Sequence, residues 1–149
     1  MKSAFTPRKL HQTEFKNAFI KTATFEGMYT NGIPNEKLLK HHVDLAKGNV
    51  ALTTISYGAV SKDARTFKTQ MYINDKSLEK LKEIAKEIHK VGGKVSIQLT
   101  HCGYFSKNTE FKRPLAPSRV FNEYGCMSGI VFSKAMTKSD MDKTAEDFA

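Results

Sequence analysis

The sequence predicts an α/β fold in which parallel strands are joined by helices. Residues 94–100 alternate, with Val95, Ile97 and Leu99 on one side and Ser96, Gln98 and Thr100 on the other, the period-two signature of a strand. Just before them, Leu78, Leu81, Ile84, Ala85 and Ile88 recur at helical spacing. The order strand, helix, strand, helix, strand leaves each crossover long enough to join parallel neighbours. Right-handed crossovers of this kind make either an open doubly wound sheet or a barrel. No glycine-rich phosphate turn follows the first strand, which disfavours the open dinucleotide-binding fold.

The elements follow in order. Residues 1–16 are polar, punctuated by Pro7, and read as an irregular or short-hairpin lead-in. Residues 17–24 read as a first strand, followed by a loop of turn formers at Gly27, Asn31, Gly32 and Pro34. Asn35 is placed to cap a first helix, with Glu36 favourably charged near its start and Gly48 where a stop is expected. Its apolar side is Leu38, Leu39, Val43, Leu45 and Ala46. Residues 50–57 are nearly continuous in apolar and β-branched side chains and form a second strand closed by Tyr57. A loop through Arg65 leads to Asn74 or Asp75, either of which can cap the second helix, and Gly92-Gly93 ends it. Gln98 sits on the polar side of a third strand that, fed by a helix, is expected in the interior; the alternative is an edge strand with one solvated face. After Gly103 a long irregular segment runs to Met136, of the kind that crosses a binding face. Thr137 with Asp140 opens a third helix in capping-box style, with the stripe Met141, Ala145 and Phe148.

Composition narrows the class. At 149 residues, with 40% hydrophobic and 26% charged residues, the chain has one globular domain's worth of core and no low-complexity tract. No apolar run reaches membrane-spanning length. The residues from Met1 to Arg8 carry charge without the apolar stretch of a secretory signal. Cys102 and Cys126 fit reduced thiols better than a disulfide framework, so a soluble cytoplasmic protein is expected. The net charge of +9 comes from scattered lysines, most of them alternating with Glu79, Glu83 and Glu87 on the second helix. That is a solvated helix face with paired charges, not the aromatic-interleaved groove of a single-strand binder, so no nucleic-acid partner and no membrane is expected.

Two chemistries are excluded. His41 and His42 are adjacent on a helix and point about 100° apart, so they cannot chelate as an i, i+4 pair does. His101-Cys102 lacks an orienting acid at a readable spacing, and Cys126 has no partner motif for nucleophilic catalysis.

Several stretches, in this order and spacing, resemble the old yellow enzyme family, the NADH:flavin oxidoreductases. They are Phe5-Thr6-Pro7, the run from Lys16 to Gly27 (KNAFIKTATFEG), Gly32-Ile33-Pro34-Asn35, the run from His89 to Lys94, Ile97-Gln98-Leu99-Thr100-His101-Cys102-Gly103, Ala116-Pro117-Ser118 and Met136-Thr137. The resemblance implies the N-terminal portion, about three βα units, of a TIM (β/α)8 barrel with FMN at the C-terminal ends of the strands. Residues 1–149 are then one partial barrel with an FMN-binding N-terminal segment, and 104–136 is the long loop after its third strand.

The resemblance also implies a chemistry. NAD(P)H reduces FMN, and the hydride passes to an electron-poor alkene, the small-molecule substrate. Thr22, Ala23 and Thr24 are expected against the flavin, Tyr57 at the isoalloxazine edge, and Gln98 on the pyrimidine side, where an amide can donate and accept at once. Phe25 stands where many relatives carry a Thr or Cys that tunes the flavin. Gly103-Tyr104 stands where many continue Gly-Arg. Substrate-polarising and phosphate-binding residues are expected beyond Ala149, so the chain is expected to be a segment inactive by itself, with no catalytic residue assigned. The rival expectation is a non-catalytic α/β protein that acts by association through exposed sheet edges.

Overall fold

The computed structural model describes residues 3–149; Met1 and Lys2, part of the N-terminal expectation, lie outside the described residues. The chain divides into two units, Met1–Tyr57 with Asp75–Gln98, and Gly58–Asn74 with Leu99–Ala149.

The first unit opens with a hairpin, β1 (Arg8–Leu10) against β2 (Thr13–Phe15). The expected first strand is much shorter than residues 17–24: β3 covers Ile20–Lys21. Asn17 accounts for the late start. Its side-chain oxygen accepts from the Phe19 N–H at 2.9 Å, while its amide donates to the Asn49 carbonyl at 2.6 Å. That local turn competes with extended pairing. A second hairpin follows, β4 (Tyr29–Thr30) and β5 (Ile33–Pro34), joined by Asn31 and Gly32. Both have positive φ, 53° and 77°, as a type I′ turn requires.

Helix α1 (Glu36–Lys47) is capped by Asn35, whose side chain accepts from the N–H groups of Lys37 and Leu38. It stops at Gly48, the C-cap, as expected, and the left-handed residue is the next one. Asn49 takes the left-handed conformation at φ 72°, its N–H donating to Ala46 O and that of Val50 to Leu45 O. This is the Schellman arrangement with asparagine in place of glycine. Strand β6 spans Leu52–Ala59, shifted two residues toward the C-terminus from the expected 50–57, and belongs to this unit as far as Tyr57.

Helix α2 (Asp75–Lys90) ends at Gly92 and Gly93, which donate to His89 O and Ile88 O. A Cβ on Gly93 would lie 2.7 Å from that of Ala46 and 2.9 Å from Ile88 Cγ2, so only glycine lets the chain turn there into β7 (Lys94–Thr100). The buried side of α2 is Ser77, Ile84 and Ile88, whereas Leu78, expected on the apolar stripe, is exposed. Lys80 pairs with Glu83 and Lys90 with Glu87, the solvated pairing read from the sequence.

The sheet order is β3-β6-β7. β3 and β6 are parallel, with Lys21 opposite Thr53. The Lys94 N–H reaches Ala51 O at 2.9 Å and Thr54 meets Ser96 at 2.8 Å, contacts that rise together along β6 and β7. The central strand is β6, and β7, expected in the interior, lies at the edge of this sheet. Leu38 and Ala46 of α1, Ala51 and Ile55 around β6, and Ile84 and Ile88 of α2 are all buried.

In the second unit Ala59, Val60 and Ala64 form a small core with Tyr72 packed against it. Residues 104–136 are far from structureless. β8 (Leu115–Ala116) runs parallel to β9 (Lys134–Ala135), and Phe121 bridges Phe132. Asn122 is buried; its amide donates to Ser106 O at 2.8 Å and its oxygen accepts from the Gly125 N–H at 2.9 Å. Helix α3 (Lys138–Phe148) has the expected capping box, Thr137 Oγ1 accepting from Asp140 N and Asp140 Oδ2 accepting from Thr137 N. Those bonds and nearby Lys134 hold the Asp140 carboxyl down to about 2. Its stripe residues Met141 and Phe148 are exposed. Among the described residues no helix is long and apolar enough to cross a membrane.

Candidate functional site

Parallel strands put their C-terminal ends on one side of a sheet, where loops from neighbouring strands converge. Thr22, Ala23 and Thr24 directly follow β3, Tyr57 lies two residues before the end of β6, and Gln98 two before the end of β7. With Lys21 opposite Thr53 and Thr54 against Ser96, Gln98 stands at the height of Ser56, one residue short of Tyr57. The structure therefore brings these residues to the same end of three adjacent strands.

It does not bring all of them to the same face. Side chains alternate across a strand. Thr53 points to α1, where its hydroxyl lies 2.6 Å from His42 Nδ1. Tyr57, four residues on, shares that helix-covered side. Thr54 points the other way, with Ser96, and Gln98 follows Ser96. Thr22 and Thr24 are exposed while Ala23 between them is half-buried, which carries the same alternation onward. The open face thus carries Thr22, Thr24, Thr54, Ser96 and Gln98, four small hydroxyl side chains and one amide. Tyr57, expected at this face, instead packs behind it against Phe25, ring centroids 5.5 Å apart. Gln98 is exposed, and its amide makes no hydrogen bond among the described residues.

Thr54 and Ser96 belong to this face and were not singled out in the sequence, although Ser96 sits on the polar side of the period-two pattern. A second omission is a buried charged group behind the face. Lys21 donates to Glu26 and, at 3.1 Å, to Thr54 O; Glu26 Oε1 lies 3.6 Å from His42 Nε2. Burial, helped by the charge of Lys21, pushes the His42 imidazole down to about 3, so the ring is neutral and its approach to Glu26 is not an ion pair. The only sequence signal was opposite charges flanking a short turn.

Tyr29 has a structural part: its hydroxyl donates to Ser56 O, and burial beside Glu26 raises its pKa. In the second unit His101 Nδ1 accepts from the Gly103 N–H at 3.0 Å, which assigns that histidine to a turn. Burial holds it below the usual histidine range. Burial also pushes the Cys102 thiol up to about 11, far from a reactive thiolate. No group of three or more His, Cys, Asp or Glu side chains among the described residues is arranged to hold a metal.

Known proteins resemble the chain in sequence and in fold. The chain is 29% identical over 147 residues to 4,4'-dithiodibutanoate disulfide reductase of Rhodococcus erythropolis, covering 98% of this chain and 36% of that protein. It is also 29% identical to a probable N-methylproline demethylase of Rhizobium meliloti, covering 96% of this chain and 21% of that one. The chain thus spans about a third or less of the length of these relatives. Among solved structures, Old Yellow Enzyme from Pichia sp. AKU4542 superposes with a TM-score of 0.87 at 23% identity, over 97% of this chain and 40% of that one. Morphinone reductase in complex with tetrahydroNAD superposes with a TM-score of 0.84 at 19% identity, over 99% and 44%. These likenesses establish the fold as the N-terminal portion, about three βα units, of a (β/α)8 barrel. Residues 3–149 match the model of a single family over nearly their whole length, and the chain belongs to the NADH:flavin oxidoreductase / NADH oxidase family.

Proposed function

We propose that this chain supplies the flavin-facing strands of an FMN-dependent oxidoreductase that passes a hydride from NAD(P)H to an activated alkene. FMN and a reduced nicotinamide are the cofactor and electron donor of the family. The observation that carries the proposal is the polar face of Thr22, Thr24, Thr54, Ser96 and Gln98. Barrel interiors are ordinarily filled by bulky branched side chains, so small hydroxyls and a free amide near the strand ends leave room for a planar ring that wants hydrogen bonds at its edge.

The residues fit that group. Gln98 offers one donor and one acceptor to a pyrimidine edge that presents both. Thr22 and Thr24 present hydroxyls, and Ala23 presents backbone. Phe25 and Tyr57 pack against each other at the turn, ring centroids 5.5 Å apart. When bound, FMN would supply two-electron transfer; these side chains would orient its ring and shield one side of it from water. A cytoplasmic setting is part of the proposal, supported by two free cysteines.

Titration of the chain with FMN, followed by flavin fluorescence, tests this reading. Saturable quenching is expected, and Gln98→Ala weakens it about tenfold, the worth of one buried hydrogen bond. A second reading, association without flavin, draws on the exposed Met141 and Phe148 of α3. It predicts no saturable quenching, together with a sedimentation coefficient that rises with concentration.

A further inference from the structure

Residues 22–25 carry two of the threonines of the polar face, yet they lie outside any strand and need something else to hold them. The chain on either side of them is tied by charge: Lys21 precedes the turn, Glu26 follows it, and their side chains meet. Glu26 is only 5% exposed, and the pair sits against α1, where His42 is fully buried. A buried carboxylate is costly unless several donors face it. Lys21 is one donor. The neutral His42 is the other candidate, and its protonation pattern follows from its neighbours. The Thr53 hydroxyl is 2.6 Å from Nδ1, and Nε2 faces Glu26. A bare nitrogen lone pair beside a carboxylate would repel it, so the ring proton belongs on Nε2 and Thr53 donates to Nδ1.

Resting on the flavin-facing reading above, we infer that Thr53, His42, Glu26 and Lys21 form a positioning chain that fixes residues 22–25 in the conformation that receives the cofactor. Each member comes from a different part of the unit: β6, α1, the residue after the turn, and β3. The chain runs in one direction, Thr53 O–H to His42, His42 N–H toward Glu26, with Lys21 N–H closing on the same carboxylate and on Thr54 O. Glu26 Oε2 and His42 Nε2 make no hydrogen bond among the described residues, and 3.6 Å exceeds an ordinary hydrogen bond. The chain is therefore slack at one link, between His42 Nε2 and Glu26. A local ion pair serving only to stabilise the fold would not confine its effect to residues 22–25.

Amide hydrogen exchange and nitrogen-15 NMR on the full chain, with and without FMN, test this. Wild type is expected to show a neutral His42 protonated on Nε2; protonation on Nδ1 overturns the chain's direction. Glu26→Gln is expected to speed exchange of the residue 22–25 amides at least tenfold, leave the slowest α2 amides unchanged, and weaken FMN at least tenfold. Should that variant fold poorly, Lys21→Met with Glu26→Met removes both charges together, and the same local loosening is expected. Unchanged exchange at residues 22–25 in the folded variants overturns the positioning chain whatever FMN does. Faster exchange in a chain that takes up no FMN even as wild type supports the positioning chain and overturns the flavin reading.

Discussion

Each unit holds a bracket in which a largely buried cation meets a carboxylate beside a loop, and the two are built on different cations. In the second unit Arg65, 4% exposed, donates through Nε to Lys62 O at 2.9 Å and through its other nitrogens to Lys68 O and Glu110, with Tyr72 beneath it at 5.0 Å. Its own carbonyl accepts from Ser106 at 2.8 Å and Cys102 at 3.1 Å. In the first unit Lys21 reaches Glu26 and one carbonyl, and beside them Glu26 Oε2 and His42 Nε2 lack a partner among the described residues. A guanidinium is a planar fork that saturates a loop's acceptors by itself, whereas an ammonium is a point charge. The arginine bracket is complete; the lysine bracket leaves polar capacity beside the proposed cofactor face.

The largest expected effect breaks the complete bracket. Arg65→Met strands two carbonyls and removes the cation over Tyr72. We expect a loss of about 3 kcal/mol, toward the low end for a broken buried pair because Glu110 is 29% exposed and can turn to water. Urea unfolding followed by circular dichroism reads it as a lower midpoint with an unchanged slope.

A pH dependence separates the brackets next. His42 is neutral when folded, with its pKa lowered to about 3, and takes a proton near 6.5 once unfolded. Between those values the unfolded chain binds more protons, so stability is complete above about pH 6.5 and falls as pH drops toward 3. From pH 7 to pH 5 the loss is about 2 kcal/mol. His101 is also lowered by burial and adds with the same sign. His42→Gln therefore flattens the urea-midpoint profile over this range without levelling it. A profile as steep as wild type would mean that His42 is protonated in the folded chain.

How far this contrast could be foreseen depends on which forces are local. Helix α1 with its Asn35 cap, the extent of β7, and the Thr137–Asp140 box were legible because propensity, alternation and capping act within a few residues. The short first strand was not, since Asn17 is bonded to Asn49, thirty-two positions away. Residues 104–136 read as irregular because their order rests on buried amides such as Asn122, which propensity counts as turn formers. The polar face was half legible: Gln98 and the threonines came from the resemblance, while Thr54 needed the register against Ser96. Tyr57 went to the helix side because one residue's difference in height reverses the face. Lys21 and Glu26 look like solvated charges in any sequence, and only burial shows otherwise.

Two smaller tests sharpen the comparison. Thr53→Val keeps the shape of β6 and removes the hydroxyl that His42 Nδ1 faces. Leaving a buried acceptor unmet costs about 1–2 kcal/mol, read as a lower urea midpoint at pH 7.

Glu110→Gln should cost least, about 0.5–1 kcal/mol, as partly exposed ion pairs do. The amide keeps an oxygen that can still accept from Arg65, and the guanidinium retains Lys62 O, Lys68 O and the Tyr72 ring. High salt should reduce even this difference, because Glu110 lies within reach of solvent and its attraction is screened. Glu26→Gln, with its carboxylate 5% exposed, should be nearly indifferent to salt, and its cost should survive in 1 M sodium chloride. A cost for Glu110→Gln equal to that of Glu26→Gln, and equally indifferent to salt, would mean that the unequal exposure of the two carboxylates does not set the strength of the brackets.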